Sequence, residues 1–170
     1  MSIDLAVMSF IYLCFLFPRW RKKELLFHSV TYLYLVSVFM LTLSPCISSL
    51  NSIFTHSYQP MVMEPFRDII AGYDYADIQI ALNILLFIPF GFLVPKVKNT
   101  NLVKILLFSF VLSLCIELVQ PLLNVYRRSD ITDIICNTLG GLIGYILYRY
   151  LKRWVMSSSF ILRNKCNFLF

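Results

Sequence analysis

Four long, nearly uncharged apolar segments place the strongest limit on how this chain can fold. They cover residues 25–47, 78–94, 102–123 and 131–151, and each comes close to the length of about 20 residues that a transmembrane helix requires. Residues 3–17 form a further apolar segment, which is short for a span and lacks the basic region that precedes the apolar part of a signal peptide. The sequence therefore predicts an all-α, polytopic membrane protein with about five transmembrane helices.

The composition also indicates a membrane protein. Of the 170 residues, 59% are hydrophobic and 14% are charged, whereas about a quarter of the residues in a soluble domain are charged. This leaves too little polar surface to cover a water-soluble globule, so apolar surface must face lipid. The net charge of +6 arises from basic residues at the segment ends, where anionic lipid headgroups lie. We therefore expect membrane lipids as partners and no nucleic acid.

The chain is predicted to form one domain. Residues 1–155 hold all the apolar segments, with a motif-bearing core at residues 78–151, and residues 156–170 form a short C-terminal tail. The one long connection, residues 48–77, is polar and contains prolines and a glycine, as expected of a loop. Its residues 64–67 are expected to lie along the membrane surface.

The basic residues predict an orientation. Twelve of the fifteen Lys and Arg residues fall in three regions, at residues 19–23, 96–104 and 149–165. Since cytoplasmic loops are enriched in Lys and Arg, these regions are expected inside the cell. The other three, Arg67, Arg127 and Arg128, fall on the opposite side together with most of the acidic residues. The N-terminus is therefore predicted outside and the C-terminus in the cytoplasm.

A carboxylate inside an apolar segment is the first candidate for function. An uncompensated ionisable group in a bilayer costs several kcal/mol, so Glu117 requires a partner or a water-lined cavity. Ser113, Glu117 and Gln120 are spaced by four and three residues, which places them on one face of a helix. The fourth predicted span therefore carries a polar stripe.

The last predicted span carries a second stripe with the same spacing. Asp130, Asp133 and Asn137 lie on one face, and Gly140 and Gly144 continue it. Small residues allow the backbones of neighbouring membrane helices to approach closely. We therefore assign a packing role to the glycines of these segments: Gly91, Gly140, Gly141 and Gly144.

The two stripes and Asn83 are expected at one depth. At 1.5 Å per residue, Asn83, Glu117 and Asn137 each lie about 8 to 9 Å from the outer end of their span. Because these spans alternate in direction, their polar side chains can meet in one layer, with Arg127 and Arg128 on the short loop above it. The candidate binding residues are Asn83, Ser113, Glu117, Gln120, Arg127, Arg128, Asp130, Asp133 and Asn137.

Two interpretations of this layer remain open. The first is structural: an interhelical hydrogen-bond network with a buried Glu–Arg or Glu–Asn pair. The second is functional, because Arg can bind a headgroup phosphate through two hydrogen bonds, and carboxylates can hold Mg²⁺ or Ca²⁺. The layer has too few ligands for a convincing metal site, and neither His28, His56 nor the scattered cysteines suggest zinc. We predict no metal and no cofactor.

The chain resembles the VanZ-like family, membrane proteins named for an accessory factor that lowers susceptibility to teicoplanin. The resemblance lies in three motifs: Asn83-x-x-x-Phe87-Ile88-Pro89-Phe90-Gly91, Ser113-x-x-x-Glu117-x-x-Gln120, and Arg128-x-Asp130-x-x-Asp133-x-x-x-Asn137-x-x-Gly140-x-x-x-Gly144. In the preceding loop the family often has Asn-Leu-x-Pro-Phe, of which this chain keeps Pro65-Phe66. The resemblance implies a multi-pass protein of the cell membrane and brings no established catalytic mechanism.

Three functions follow as hypotheses. The first is an envelope protein that binds or alters a cell-surface component, such as a lipid-linked cell-wall precursor or the lipoglycopeptide itself, and so contributes to teicoplanin resistance. The second is an intramembrane enzyme acting on a lipid-linked phosphate or glycan, with Glu117 or Asp133 as general base and Arg128 stabilising negative charge. The third is a small transporter with Glu117 as its titrating group, which is least favoured because no inverted repeat is evident.

Overall fold

The protein is helical throughout the part that the computed structural model describes, which comprises residues 2–53, 57–97 and 100–167. No strand forms within these ranges beyond one isolated bridge between two loops, so the predicted all-α class is confirmed. The helices are α1 Ser2–Ile11, α2 Lys22–Thr42, α3 Cys46–Ser49, α4 Arg67–Ile70, α5 Ala76–Val97, α6 Leu102–Leu123 and α7 Ile131–Asn167.

Four helical stretches of the described chain are long and apolar enough to cross a membrane, and they correspond to the four long apolar segments of the sequence: Glu24–Ser49, Ala76–Lys96, Leu102–Leu123 and Ile131–Val155. The protein is therefore a membrane protein. The shorter first segment forms α1, a π-helical turn and a 3₁₀ turn that ends at Arg19, and it does not belong to this set. A fifth span and the predicted orientation stay predictions.

The last helix extends into the residues that the sequence assigns to a C-terminal tail. Helix α7 continues without a break to Asn167, so the backbone of most of residues 156–170 is an extension of the last helix. Residues 168–170 lie outside the described residues. The division into a domain at 1–155 and a tail stays a prediction.

A buried carboxylate joins the beginning of α1 to the turn after α2 and the beginning of α3. Asp4 is 2% exposed, and its carboxylate accepts hydrogen bonds from Ser44 Oγ at 3.0 Å, from the Cys46 backbone N at 2.8 Å and from the Ile47 backbone N at 2.9 Å. These three hydrogen-bond donors compensate the charge of the buried carboxylate. No spacing or motif in the sequence indicates this role of Asp4.

Helices α5 and α7 make the most extensive helix–helix contact of the described chain, and glycines allow it. A Cβ atom added to Gly91 would collide with the carbonyl oxygen of Gly141, and one added to Gly144 would collide with that of Ile88. A Cβ on Gly141 would also strike the Ser109 side chain of α6. The two helices therefore touch backbone to backbone, which a larger side chain would prevent.

Apolar side chains fill the interior beside this contact. Tyr34 on α2 donates a hydrogen bond from its hydroxyl to the Leu86 carbonyl oxygen of α5 at 2.8 Å, which holds these helices together. The buried cluster between α2, α5 and α6 consists of Val38, Phe87, Phe90 and Ile116. One turn before Phe87, the polar Asn83 takes the place of an apolar side chain. At this level a cavity lies between the helices.

Candidate functional site

A cavity of about 740 Å³ opens where α2 and α6 end and α5 and α7 begin. Its volume lies within the range of about 300 to 1,000 Å³ that is typical of small-molecule sites. Its lining includes eight of the nine candidate binding residues: Asn83, Glu117, Gln120, Arg127, Arg128, Asp130, Asp133 and Asn137. The structure therefore brings these eight residues together around one cavity, and Ser113 lies beside it.

Glu117 is buried in this cavity without an ion-pair partner. Its side chain is 2% exposed, and within the described ranges no Lys or Arg nitrogen lies at ion-pairing distance from it. Its Oε2 accepts a hydrogen bond from the Asp130 backbone N at 3.0 Å, and its carbonyl oxygen accepts one from Ser129 Oγ at 2.6 Å. The Glu–Arg pair of the structural interpretation is therefore not formed among the described residues. The α6–α7 loop instead holds Glu117 through the Asp130 backbone N and the Ser129 hydroxyl.

The rest of the α6 stripe contacts two neighbouring helices. Gln120 donates from Nε2 to the Thr42 carbonyl oxygen at the end of α2, at 3.2 Å. Ser113 is fully buried and accepts a hydrogen bond from Asn137 Nδ2 of α7 at 2.8 Å. Ser113 therefore orients a cavity residue and does not line the cavity itself.

The α7 stripe retains an unused acceptor. Asn137 is 3% exposed, and its Oδ1 has no hydrogen-bond partner among the described residues. One turn earlier, the carboxylate of Asp133 interacts with the side-chain amide of Asn83 on α5. Since buried polar atoms are nearly always paired in native proteins, the unpaired oxygen at a cavity lining requires an explanation.

The long connection between α2 and α5 packs against the α6–α7 loop through Val62 and Phe66. The Val62 backbone N donates to the Ser129 carbonyl oxygen at 2.9 Å, and the Ile131 backbone N donates to the Val62 carbonyl oxygen at 3.0 Å. The Phe66 backbone N donates to Thr132 Oγ1 at 2.9 Å. Sequence reasoning missed Val62, Ser129 and Thr132, and the retained Pro-Phe pair was the one signal near them.

Asp130 forms a hydrogen bond that stabilises the fold, whereas the two arginines form no ion pair within the described chain. Asp130 caps α7, since its Oδ1 accepts a hydrogen bond from the Thr132 backbone N at 2.7 Å. Arg127 and Arg128 are exposed at the cavity mouth, and no carboxylate of the described chain forms an ion pair with either of them. Their guanidinium groups are available to an anion.

Comparison with known proteins identifies the family of this chain. The family model described as VanZ/LLP1 matches residues 5–153. This chain belongs to the VanZ/LLP1 family. It is 32% identical over 117 residues to "Protein VanZ" of Enterococcus faecium, and the match covers 68% of this chain and 69% of that protein. No solved structure matches the chain. The resemblance derived from the three motifs is confirmed.

The charges of this VanZ-family cavity are mainly negative. Within the described residues, no group of three or more Asp, Glu, His or Cys side chains is arranged to hold a metal ion. His28 pairs with Glu24 on α2, and His56 lies outside the described residues. The charged residues that line the cavity are four carboxylates and two arginines: Asp68, Glu117, Asp130, Asp133, Arg127 and Arg128.

Proposed function

We propose that this VanZ-family protein lowers the susceptibility of a bacterial cell to teicoplanin-type lipoglycopeptides by binding a cell-surface component in the cavity. The observation that supports binding is that polar and charged residues line one cavity while several of them lack an ion-pair or hydrogen-bond partner in the described chain. Arg127 and Arg128 lack carboxylate partners in the described chain, and Asn137 Oδ1 lacks a donor. Since buried polar atoms are usually paired in native proteins, the unpaired Asn137 Oδ1 at the cavity lining supports binding of a hydrogen-bond donor there.

The cavity also suits a ligand in size and place. A volume of about 740 Å³ can hold a headgroup or a sugar, whereas a packing defect of that size would destabilise the bundle. The tightly packed α5–α7 contact begins directly beyond Asn137, so the cavity has a firm inner boundary. Membership of the VanZ family supports the link to teicoplanin, which the family resemblance implies.

The proposal requires the cavity to open at the outer side of a multi-pass protein in the cell membrane. The distribution of Lys and Arg supports this orientation. A reporter fused after Arg153 is expected to be cytoplasmic, and one inserted at Ser57 is expected to be external. A cytoplasmic signal at Ser57 would place the cavity inside the cell and contradict the proposal.

Resistance is tested by expressing the chain in a teicoplanin-sensitive Gram-positive host. We expect expression to reduce both susceptibility and the amount of labelled teicoplanin bound per cell, relative to the empty vector. Arg128→Ala should abolish this effect at equal membrane abundance. Arg21→Ala, which removes an exposed arginine before α2, is the matched control and should retain it. Unchanged susceptibility on expression of the wild type would refute the proposed function.

A further inference from the structure

The cavity separates positive from negative charge. Arg127 and Arg128 are exposed at its mouth, while Glu117 is almost fully buried. Asp130 and Asp133 line the same cavity as Glu117, and no Lys or Arg of the described chain forms an ion pair with any of these three carboxylates. Since a cleft lined by one sign of charge concentrates the opposite ion, the inner part of the cavity favours a cationic group.

The inner part also offers a hydrogen-bond acceptor that has no donor among the described residues. Asn137 Oδ1 is buried and unpaired within the described chain, although its Nδ2 is fixed by Ser113. This acceptor belongs to the same lining as the carboxylates of Glu117 and Asp133. A primary ammonium provides three N–H donors and a positive charge. It therefore complements both the charge and the missing donor.

The side wall of the cavity is apolar and exposed. Leu41 of α2 and Leu82 and Leu85 of α5 line the cavity, yet they are 68%, 58% and 59% exposed. In a membrane protein such exposed leucines on spanning helices face lipid. The cavity is thus bordered by lipid-facing side chains between α2 and α5, and a molecule with an acyl chain can enter there.

From these three features we infer that the cavity binds a phospholipid with a primary ammonium in its headgroup. The ammonium lies among Glu117, Asp133 and Asn137, the phosphate binds Arg127 and Arg128, and the acyl chains leave past the leucines between α2 and α5. This inference deepens the proposed function and rests on its binding cavity, since it names the chemical class of the cell-surface component.

The inference is tested by binding of defined lipids to the purified full-length protein in detergent. The probe is phosphatidylethanolamine with a fluorescent acyl chain, and the comparison lipids are phosphatidylcholine and phosphatidylglycerol with the same chains. Phosphatidylcholine retains the positive charge but has no N–H donors, and phosphatidylglycerol has no cation. Because hydrogen bonds to charged groups are the stronger ones, we expect phosphatidylethanolamine to bind about tenfold more tightly than either. Equal affinity for the three lipids would overturn the inference.

Variants locate the headgroup. Glu117→Gln preserves the shape and an acceptor for the Asp130 N–H, and it should weaken phosphatidylethanolamine binding about tenfold. Glu24→Gln neutralises an exposed carboxylate outside the cavity and should leave binding unchanged. Melting temperatures establish that both variants are folded. Selective binding that survives Glu117→Gln would overturn the assignment of the ammonium to this cavity.

A second pair of variants tests the acyl-chain exit. Leu82→Trp should obstruct the opening between α2 and α5 and weaken lipid binding, whereas Leu107→Trp, at an exposed position of α6 outside the cavity, should not. Free O-phosphoethanolamine should bind more weakly than the lipid, because it lacks the chains. Equal affinity for O-phosphoethanolamine and for the phospholipid would show that the acyl chains contribute nothing to binding, and would overturn the inference that the ligand is a lipid.

These measurements use no antibiotic, so their failure is distinguishable from failure of the proposed function. Lipid selectivity without any change in teicoplanin susceptibility would support the ligand class and refute the resistance role. Resistance without lipid selectivity would support the proposed function and overturn this inference.

Discussion

Helices α5 and α7 run side by side through two regions that differ in almost every respect. Over the first turns of each helix, Asn83, Asp133 and Asn137 line an open cavity. One turn further, the glycines of α7 press against the α5 backbone, and a Cβ on Gly140 would collide with the Ile84 carbonyl oxygen. The change from open to closed occurs within about one helical turn.

This difference separates stability from binding. The glycine contact uses backbone atoms, which have no rotamers with which to relieve a clash, and it fixes the distance between the helices. The cavity uses long polar side chains, several of which have no partner in the described chain. The glycine contact therefore holds the cavity in place. We expect mutations in the glycine contact to lower stability and mutations in the cavity to lower binding.

The largest effect on stability is expected for Gly144→Leu. Any side chain here meets the Ile88 backbone, and overpacking a filled interior costs about 1 to 3 kcal/mol even where neighbours can move. We expect a lower yield and a lower melting temperature in detergent. Ala81→Leu, at an exposed position of α5, is the matched control and should behave like the wild type. Normal stability of Gly144→Leu would mean that this glycine face is exposed to lipid and does not pack against α5.

An intermediate effect is expected for Ser113→Ala, which acts at the border of the two regions. The change leaves the buried Asn137 Nδ2 without its acceptor, and an unpaired buried donor costs about 1 to 3 kcal/mol. Ser37→Ala removes the hydroxyl of an exposed serine that bonds within its own helix and serves as control. Equal melting temperatures for the two variants would show that the Ser113 hydrogen bond contributes nothing.

The sequence predicted the parts of the site that follow helical periodicity. Ser113, Glu117 and Gln120 are all buried on one face of α6, as their spacing required, and Asp133 and Asn137 line the cavity that Glu117 also lines. The helical class and the family were confirmed for the same reason, since apolar spans and spaced polar motifs are local patterns. Periodicity determines which face a residue occupies.

The sequence could not predict contacts that depend on how distant loops meet. Val62 pairs with the α6–α7 loop, and Ser129 bonds the Glu117 carbonyl oxygen, but neither position has a distinctive spacing. The buried hydrogen bonds of Asp4 could not be predicted, because their donors lie about 40 residues away in the chain. The absence of a Glu117–Arg128 pair is likewise a matter of side-chain direction, which proximity along a short loop does not determine.

The smallest stability effect, together with the largest loss of function, is expected for Glu117→Gln, Arg128→Ala and Asp133→Asn. Glu117 and Arg128 have no ion pair in the described chain that these changes could break, and Gln can still accept from the Asp130 N–H. If they instead removed a member of a buried pair, the cost would be about 3 to 5 kcal/mol, which would reduce the amount of folded protein. The two accounts therefore predict opposite results for folding.

The most direct measurement compares folded protein with function in the same cells. Yield, melting temperature and teicoplanin susceptibility are determined for the three single variants and the triple variant, with Glu24→Gln as control. We expect each single variant to accumulate and melt like the wild type while losing protection, and the triple variant to add little further loss, since residues that act as one unit are not additive. Protection retained in every well-folded single variant, or lost only in proportion to lost protein, would contradict a functional cavity.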